Sequence, residues 1–367
     1  MKWICCQLGA REHYAVPRAL QLGGLLGEFI TDLWTKRFTG RFHPALASAQ
    51  VTAPNLAALK FELKAYVTGA NGWQLIRRRN EWFQQHAVHK LHKQPTNGPR
   101  TVFAYSYAAE QIFKHARERG WRTVLGQIDA GPAEERIIAW KPAPAEYWDQ
   151  WRNECALADW IVVNSVWSRD ALLGEGVPAE KIRVLPLAYE TAAEAKSFQR
   201  SYPKAFTSAR PLRVLFLGQI NLRKGVGQLL DAVNLLAGEP VEFWFVGPAQ
   251  VNLPASVKWF GVVPRVEVDK YYKGADVFIF PTLSDGFGLT QLEAQSWKLP
   301  VIASRHCGEV VCDGVNGVVL NEVSGEAIAR VLLEFLRGPD LLSAMSLNSG
   351  VSDRFSLRSL AWSLRNL

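Results

Sequence analysis

The chain has 367 residues, 48% hydrophobic and 21% charged, with a net charge of +8. That is too long for one ordinary domain, suits two of roughly 150–200 residues, and has the composition of a soluble globular protein. No run of 18 or more apolar residues occurs, which excludes a membrane-spanning helix, and the positive balance points to an anionic partner: nucleotide, nucleic acid or acidic lipid.

From Met1 the sequence runs through a short apolar stretch to Gly9, which suits a first buried strand better than a signal peptide. Further strands are expected at Thr101–Tyr105, Thr123–Ile128, Trp160–Asn164 and Arg183–Leu187, after the first at Trp3–Leu8. Helical patterns separate them at His13–Leu25, Asn80–Lys93, Ala108–Arg119, Glu146–Leu157 and Trp167–Leu173. In the second half, strands fit Arg213–Leu217, Val241–Val246, Val257–Phe260, Val277–Phe280 and Val301–Ala303. Helices fit Val226–Leu236, Val266–Lys273, Leu289–Lys298 and Glu326–Leu336. Short β-branched strands alternating with amphipathic helices predict an α/β chain with two Rossmann-like domains, each a parallel sheet covered on both faces. The polar, proline-containing stretch Glu194–Pro211 marks the boundary, dividing the chain into 1–205 and 206–349.

Ligands of such sheets bind beyond the carboxyl ends of the strands, so two facing sheets leave a central cleft. Gly9 and Ala10 end the first strand there, and Asp129 and Gly131 end another. Asp129 is the first-half candidate for a catalytic polar group; its plainer reading is a turn residue before Gly131-Pro132. Arg77–Lys93 is the most basic stretch, with Trp82 and Phe83 among its cations. It reads either as a helix resting on an acidic membrane, which would fit a lipid-linked acceptor, or as a solvated helix with one buried edge. The 14 Trp offer sugar-stacking surfaces but serve mainly as core and interface residues.

Two constellations in the second half carry the chemistry. Gly218, Gln219, Arg223 and Lys224 follow a strand and precede a helix. Cations are disfavoured at a helix start unless an anion lies between, so the pair reads as a clamp on a diphosphate; its plainer reading is a solvated turn with two surface cations. After the strand Val277–Phe280 come Asp285, Gly286, Phe287, Gly288, Leu289, Thr290 and Glu293. Here two glycines permit close backbone approach, and two carboxylates can accept from sugar or ribose hydroxyls. Thr290 and Glu293 also have the spacing of a capping box, the plainer reading of Glu293. His306, Cys307 and Cys312 match no zinc pattern, and five scattered cysteines fit a reducing cytoplasm.

From Leu215 to Leu320 the chain resembles the donor domain of family 4 retaining glycosyltransferases of the GT-B fold. The matching stretches include Phe216-Leu217-Gly218, Arg223-Lys224-Gly225, Phe245-Val246-Gly247, Phe260 to Pro264, Tyr272 to Thr282, Asp285 to Gly288 and Pro300 to Ala303. The first half is similar through Ala158–Ser165 and Gly176–Ile182. The resemblance implies that Arg223 and Lys224 hold the donor diphosphate, Glu293 the ribose, and backbone near Val262 and Val263 the base. It implies a C-terminal tail (350–367) crossing back onto the first domain as a helix, and transfer with retention by same-face attack. Asp285 stands where the family has Glu, and Gln219 where many members have Arg. No Asp-x-Asp occurs, so metal independence is expected, with a nucleotide sugar (UDP-, GDP- or ADP-linked) as co-substrate and no bound cofactor. The acceptor implied is a saccharide, free or lipid-linked, and the location cytoplasmic, including the inner membrane face. A GT-B epimerase, a phosphorylase and a non-catalytic nucleotide-sugar binder are the competing readings; nucleic-acid binding finds no recognised module.

Overall fold

The strands that centre each sheet are apolar along their whole length because helices cover both faces. In Val277–Phe280, for example, all four residues are buried. The computed structural model describes residues 2–35, 43–95, 98, 100–138 and 142–367. The first sheet comprises β1 (Lys2–Gln7), β2 (Leu26–Thr31), β3 (Val51–Thr52), β4 (Arg100–Tyr105), β5 (Arg122–Gly126), β6 (Trp160–Val163) and β7 (Ile182–Val184). Its order is β3-β2-β1-β4-β5-β6-β7, parallel throughout. The second comprises β8 (Leu212–Leu217), β9 (Val241–Val246), β10 (Val257–Trp259), β11 (Val277–Phe280), β12 (Val301–Ala303) and β13 (Gly317–Val319). Its order is β10-β9-β8-β11-β12-β13, also parallel.

The first domain carries helices α1 (Ala15–Leu22), α2 (Asn55–Val67), α3 (Gly72–Leu91), α4 (Glu110–Glu118), α5 (Pro132–Ile138), α6 (Ala145–Leu157) and α7 (Val166–Gly174). A short α8 (Ala193–Ser197) follows. The second has α9 (Val226–Leu235), α10 (Val268–Gly274), α11 (Thr290–Ser296), α12 (Gly325–Arg337) and α13 (Pro339–Asn348), and α14 (Leu357–Arg365) closes the chain. Phe83, Phe113 and Trp151 fill one face of the first sheet, Phe29 and Phe103 the other. In the second domain, Phe216, Leu229 and Phe335 lie on one side, and Tyr272, Phe278 and Trp297 on the other. This is the GT-B architecture, and α14 crosses back: Leu360, Ala361 and Leu364 join the first-domain core beside α1.

Several elements depart from expectation. The expected helix at His13–Leu25 starts only at Ala15, because Glu12, His13 and Tyr14 adopt left-handed φ of 50°, 52° and 61°. The helix at Asn80–Lys93 begins two turns earlier, at Gly72. Within it Phe83 is buried in the core, and Trp82 packs on Phe61 of α2 with ring centroids 5.3 Å apart. The aromatics expected on a membrane are therefore used inside the protein. The stretch before the 205/206 division already packs on the second domain. Ala195 is buried there, and Arg200 donates to the carbonyls of Tyr272 (2.7 Å) and Trp297 (3.0 Å).

Candidate active site

Both sheets reverse strand order beside their first strands, between β1 and β4 and between β8 and β11. Chain leaving these ends splays to opposite sides and opens a crevice. In the second domain, Asn221 caps the turn after β8, accepting from the Lys224 amide at 3.2 Å. Gly225 then takes φ 71°, and a Cβ there would stand 1.9 Å from the Pro281 carbonyl oxygen. Only glycine lets the turn lie this close to the chain leaving β11. The Thr282 hydroxyl and Leu283 amide donate to the Arg223 carbonyl at 3.1 and 2.9 Å, tying the two loops together.

This turn aims its cations inward. Arg223 donates to the Ser284 carbonyl at 3.0 Å and lies 4.0 Å from Asp285. Lys224 pairs directly with Asp285 and sits over the Phe280 ring, 5.1 Å from its centroid. Burial, and next the adjacent Arg223, push the Lys224 ammonium down from the usual lysine range to about 7. Such a cation gains from any further anion placed beside it. Asp285 also accepts from the Phe287 amide at 3.1 Å.

A cavity of about 400 Å³ lies over these groups, lined by Gly218, Gln219, Arg223, Lys224, Asp285, Phe287, Gly288, Leu289 and Thr290. These two segments lie over sixty residues apart in sequence, yet the fold brings them to one wall. The Thr290 hydroxyl is buried with no hydrogen-bond partner among the described residues. No capping box forms: α11 has no side-chain cap, and Glu293 instead accepts from the Tyr272 hydroxyl at 2.8 Å. Burial raises the Glu293 carboxyl, and the Tyr272 bond opposes that rise. Glu293, Val262 and Val263 lie outside the cavity lining; Val262 is exposed beyond β10. Gly286 makes a further contact that the sequence did not announce. Its missing Cβ would stand 2.1 Å from the carbonyl oxygen of Ile128, so it lets this loop touch the first domain.

The first domain supplies the facing wall. Arg11, Glu12, Ile128, Asn164 and Leu187 line the same cavity, and none of them was singled out by the sequence. The three left-handed residues at 12–14 form a strained turn of the kind that clusters at functional sites. Glu12 accepts from the Tyr105 hydroxyl at 2.9 Å, and burial lifts its carboxyl to about 7 against that bond and Arg11. His13 meets Arg265 across the cleft at 2.8 Å. Glu134 of α5 also crosses: it accepts from the Ser284 hydroxyl at 2.8 Å and lies 3.7 Å from Arg223. Burial, then Asp129, raises its carboxyl, and Arg223 opposes that.

A second cavity of about 560 Å³ opens from the first domain and shares Arg11 and Ile128 with the first. Gly9, Asp32, Trp73, Arg79, Asn80 and Asp129 are among its lining residues. Gly9 donates to Asp32 at 2.9 Å, whereas Ala10 is exposed and lines neither cavity. Asp129 is more than a turn residue. Its Oδ1 accepts from the Gly131 amide (2.9 Å), as a turn aspartate would, and also from Tyr107 (2.6 Å) and Gln127 (2.9 Å). Cys307 is buried near Ser304 and Cys312 is exposed. No helix among the described residues is long and apolar enough to cross a membrane.

Residues 199–349 match the family of glycosyl transferases group 1. The amylovoran biosynthesis glycosyltransferase AmsK of Erwinia amylovora is 28% identical over 199 residues, 48% of this chain and 47% of that protein. The D-inositol 3-phosphate glycosyltransferase of Segniliparus rotundus is 30% identical over 40% of this chain and 37% of its own. The chain spans about half the length of the first curated relatives it matches, 47% and 51%. Among solved structures, Anabaena Alr3699/HepE in complex with UDP aligns over 100% of both chains, with a TM-score of 0.70 and 15% identity.

Proposed function

We propose that this protein moves a sugar from a nucleotide diphosphate sugar to a saccharide or lipid-linked saccharide, a reading supported by the match of residues 199–349 to the glycosyl transferases of group 1. The observation that carries the reading is the pair Arg223 and Lys224, half-buried beside Asp285 at the second sheet's switch point and facing the first domain. As the glycosidic bond to the donor breaks, negative charge grows on the departing diphosphate. Two pre-oriented cations and the Thr290 hydroxyl, which has no partner among the described residues, are placed to meet it, at no cost of reorganisation. This supports metal-independent departure.

In this reading Gly218 and Gln219 border the diphosphate, Asp285 with the Gly286–Leu289 backbone holds the transferred sugar, and Glu293 holds the ribose. The base lies toward Val262 and Val263. The joined first-domain cavity, with Asp129 and Asp32 at its polar side, takes the acceptor. Its aromatic and carboxylate lining suits sugar rings and hydroxyls. Same-face attack, with retention, follows if the acceptor hydroxyl enters from beside the diphosphate. Of the candidate donors, UDP sugars come first, since the related fold of HepE has been solved with UDP and with UDP-glucose.

Calorimetric titration with UDP, GDP and ADP and their glucose or mannose forms, with EDTA present, tests the proposal. Micromolar binding of one nucleotide is expected. Folded protein that binds none of them overturns it.

A further inference from the structure

Helix α2 turns its apolar side the wrong way for a helix of a globular protein. Leu56, Leu59, Leu63, Tyr66 and Val67 recur at helical spacing, fall within an arc of about 100°, and are each between 58 and 85% exposed. The inward side is the small one: Ala58 is the only residue of α2 that is buried, and Phe61 meets Trp82 of α3. A stripe of this size, about 20 Å long for 13 residues, is unusual on a soluble surface and marks a contact.

The charges beside it choose the partner. Lys60 and Lys64 flank the stripe on one side, both exposed and, like Arg78 of α3, without an ion-pair partner among the described residues. The α2–α3 hairpin, residues 55–93, holds seven Lys and Arg against two Glu, so it carries most of the chain's net charge of +8. Glu62, one of the two acids, is taken up by Arg79 at 2.7 Å. A second copy packing stripe to stripe would bring the same lysines together, since a twofold contact repeats one patch on both sides. An acidic bilayer suits both features at once: apolar side chains enter the headgroup boundary while the lysines meet lipid phosphate.

We propose that the exposed face of α2 docks this protein on an anionic membrane, with the leucine stripe inserted and Lys60 and Lys64 at the headgroups. The hairpin also lends Glu62, Trp73 and Arg79 to the first-domain cavity. Docking therefore holds that cavity near lipid, which favours a lipid-linked acceptor; this last step rests on the transferase reading, and the docking itself does not.

The test is co-sedimentation of the whole protein with vesicles, with no nucleotide present, so that it succeeds or fails apart from the donor site. Vesicles of phosphatidylglycerol mixed with phosphatidylcholine are compared with phosphatidylcholine alone. Expected are binding to the anionic vesicles, loss of about fivefold in affinity per lysine in Lys60→Ser with Lys64→Ser, and a loss of at least about tenfold in Leu59→Glu with Leu63→Glu. Because these residues are exposed, unchanged melting temperature and unchanged UDP-sugar titration should accompany the losses. Failure to bind anionic vesicles, equal binding to both kinds, or full binding by the leucine variant overturns the proposal. So does a concentration-dependent dimer that the leucine variant abolishes without any vesicle binding.

Discussion

Across the cleft, the second-domain wall gathers its charge from one turn and one loop, while the first-domain wall is assembled from five separate strand and helix ends. Arg223, Lys224 and Asp285 are tied to each other and to nearby backbone, so their geometry is fixed before any ligand arrives. Glu12, Asp129 and Glu134 come from different elements and hold the wall through a strained turn, a tyrosine–glutamine network and a contact across the domains. In the proposed reading, the rigid wall holds the diphosphate, which stays the same from turnover to turnover, and the composite wall receives the acceptor.

The largest effect should come from emptying the rigid wall of charge. Arg223→Ala and Lys224→Ala should each weaken nucleotide-sugar binding by about 1.5–3 kcal/mol, while circular dichroism shows an intact fold. Calorimetry reads the affinity; unchanged values in both variants would remove the donor from this wall. Asp129→Asn probes the opposite wall. Asparagine keeps an acceptor oxygen for Tyr107, Gln127 and Gly131, so the scaffold survives and only the charge is lost. Transfer should slow by about tenfold or more, with donor affinity within about twofold. A donor affinity that drops as far as in Lys224→Ala would mean that the two walls do not divide the work.

The contrast also explains what the sequence made legible. Gly218 to Lys224 and Asp285 to Glu293 are two continuous segments, each placed by its strand, so spacing alone put most of their residues on one cavity. Glu134 meets Ser284 over a separation of 150 residues, which no local pattern encodes. Glu12 reaches the cleft only because three residues without glycine's freedom accept left-handed φ, and that costs energy which tertiary contacts must supply. Strand β2 escaped notice because Gly27 and Glu28 interrupt its apolar run, although Glu28 is buried and accepts from Thr52 at 2.5 Å. Helix α2 was not among the expected helices either, although Leu56, Leu59 and Leu63 recur at helical spacing; its apolar face lies on the outside of the fold.

A smaller effect separates the walls by pH. Lys224 titrates near 7 without ligand, and a bound diphosphate must raise it. The sign follows: the ammonium's contribution is complete below about 7 and is lost as pH rises through and beyond that value. Affinity for a UDP-sugar, whose diphosphate keeps its charge over this range, should fall by up to about tenfold per pH unit above 7, with proton uptake on binding. Lys224→Arg, which cannot lose its proton in this range, should abolish both the slope and the uptake. A slope that persists in that variant would assign the titration elsewhere, with Glu12 the first group to examine.

The smallest predicted effect lies at the edge of the rigid wall. Tyr272 donates to Glu293, and this bond opposes the rise that burial imposes on the carboxyl. In Tyr272→Phe the carboxyl should climb further and bind a ribose hydroxyl less well, at about 0.5–1.5 kcal/mol for one hydrogen bond. Because the deficit comes from protonation, it should grow as pH falls, opposite in direction to the lysine effect. Titrations of this variant at two pH values give both terms. A deficit that is the same at each pH would mean Tyr272 only positions Glu293, and no deficit at either would place the ribose away from it.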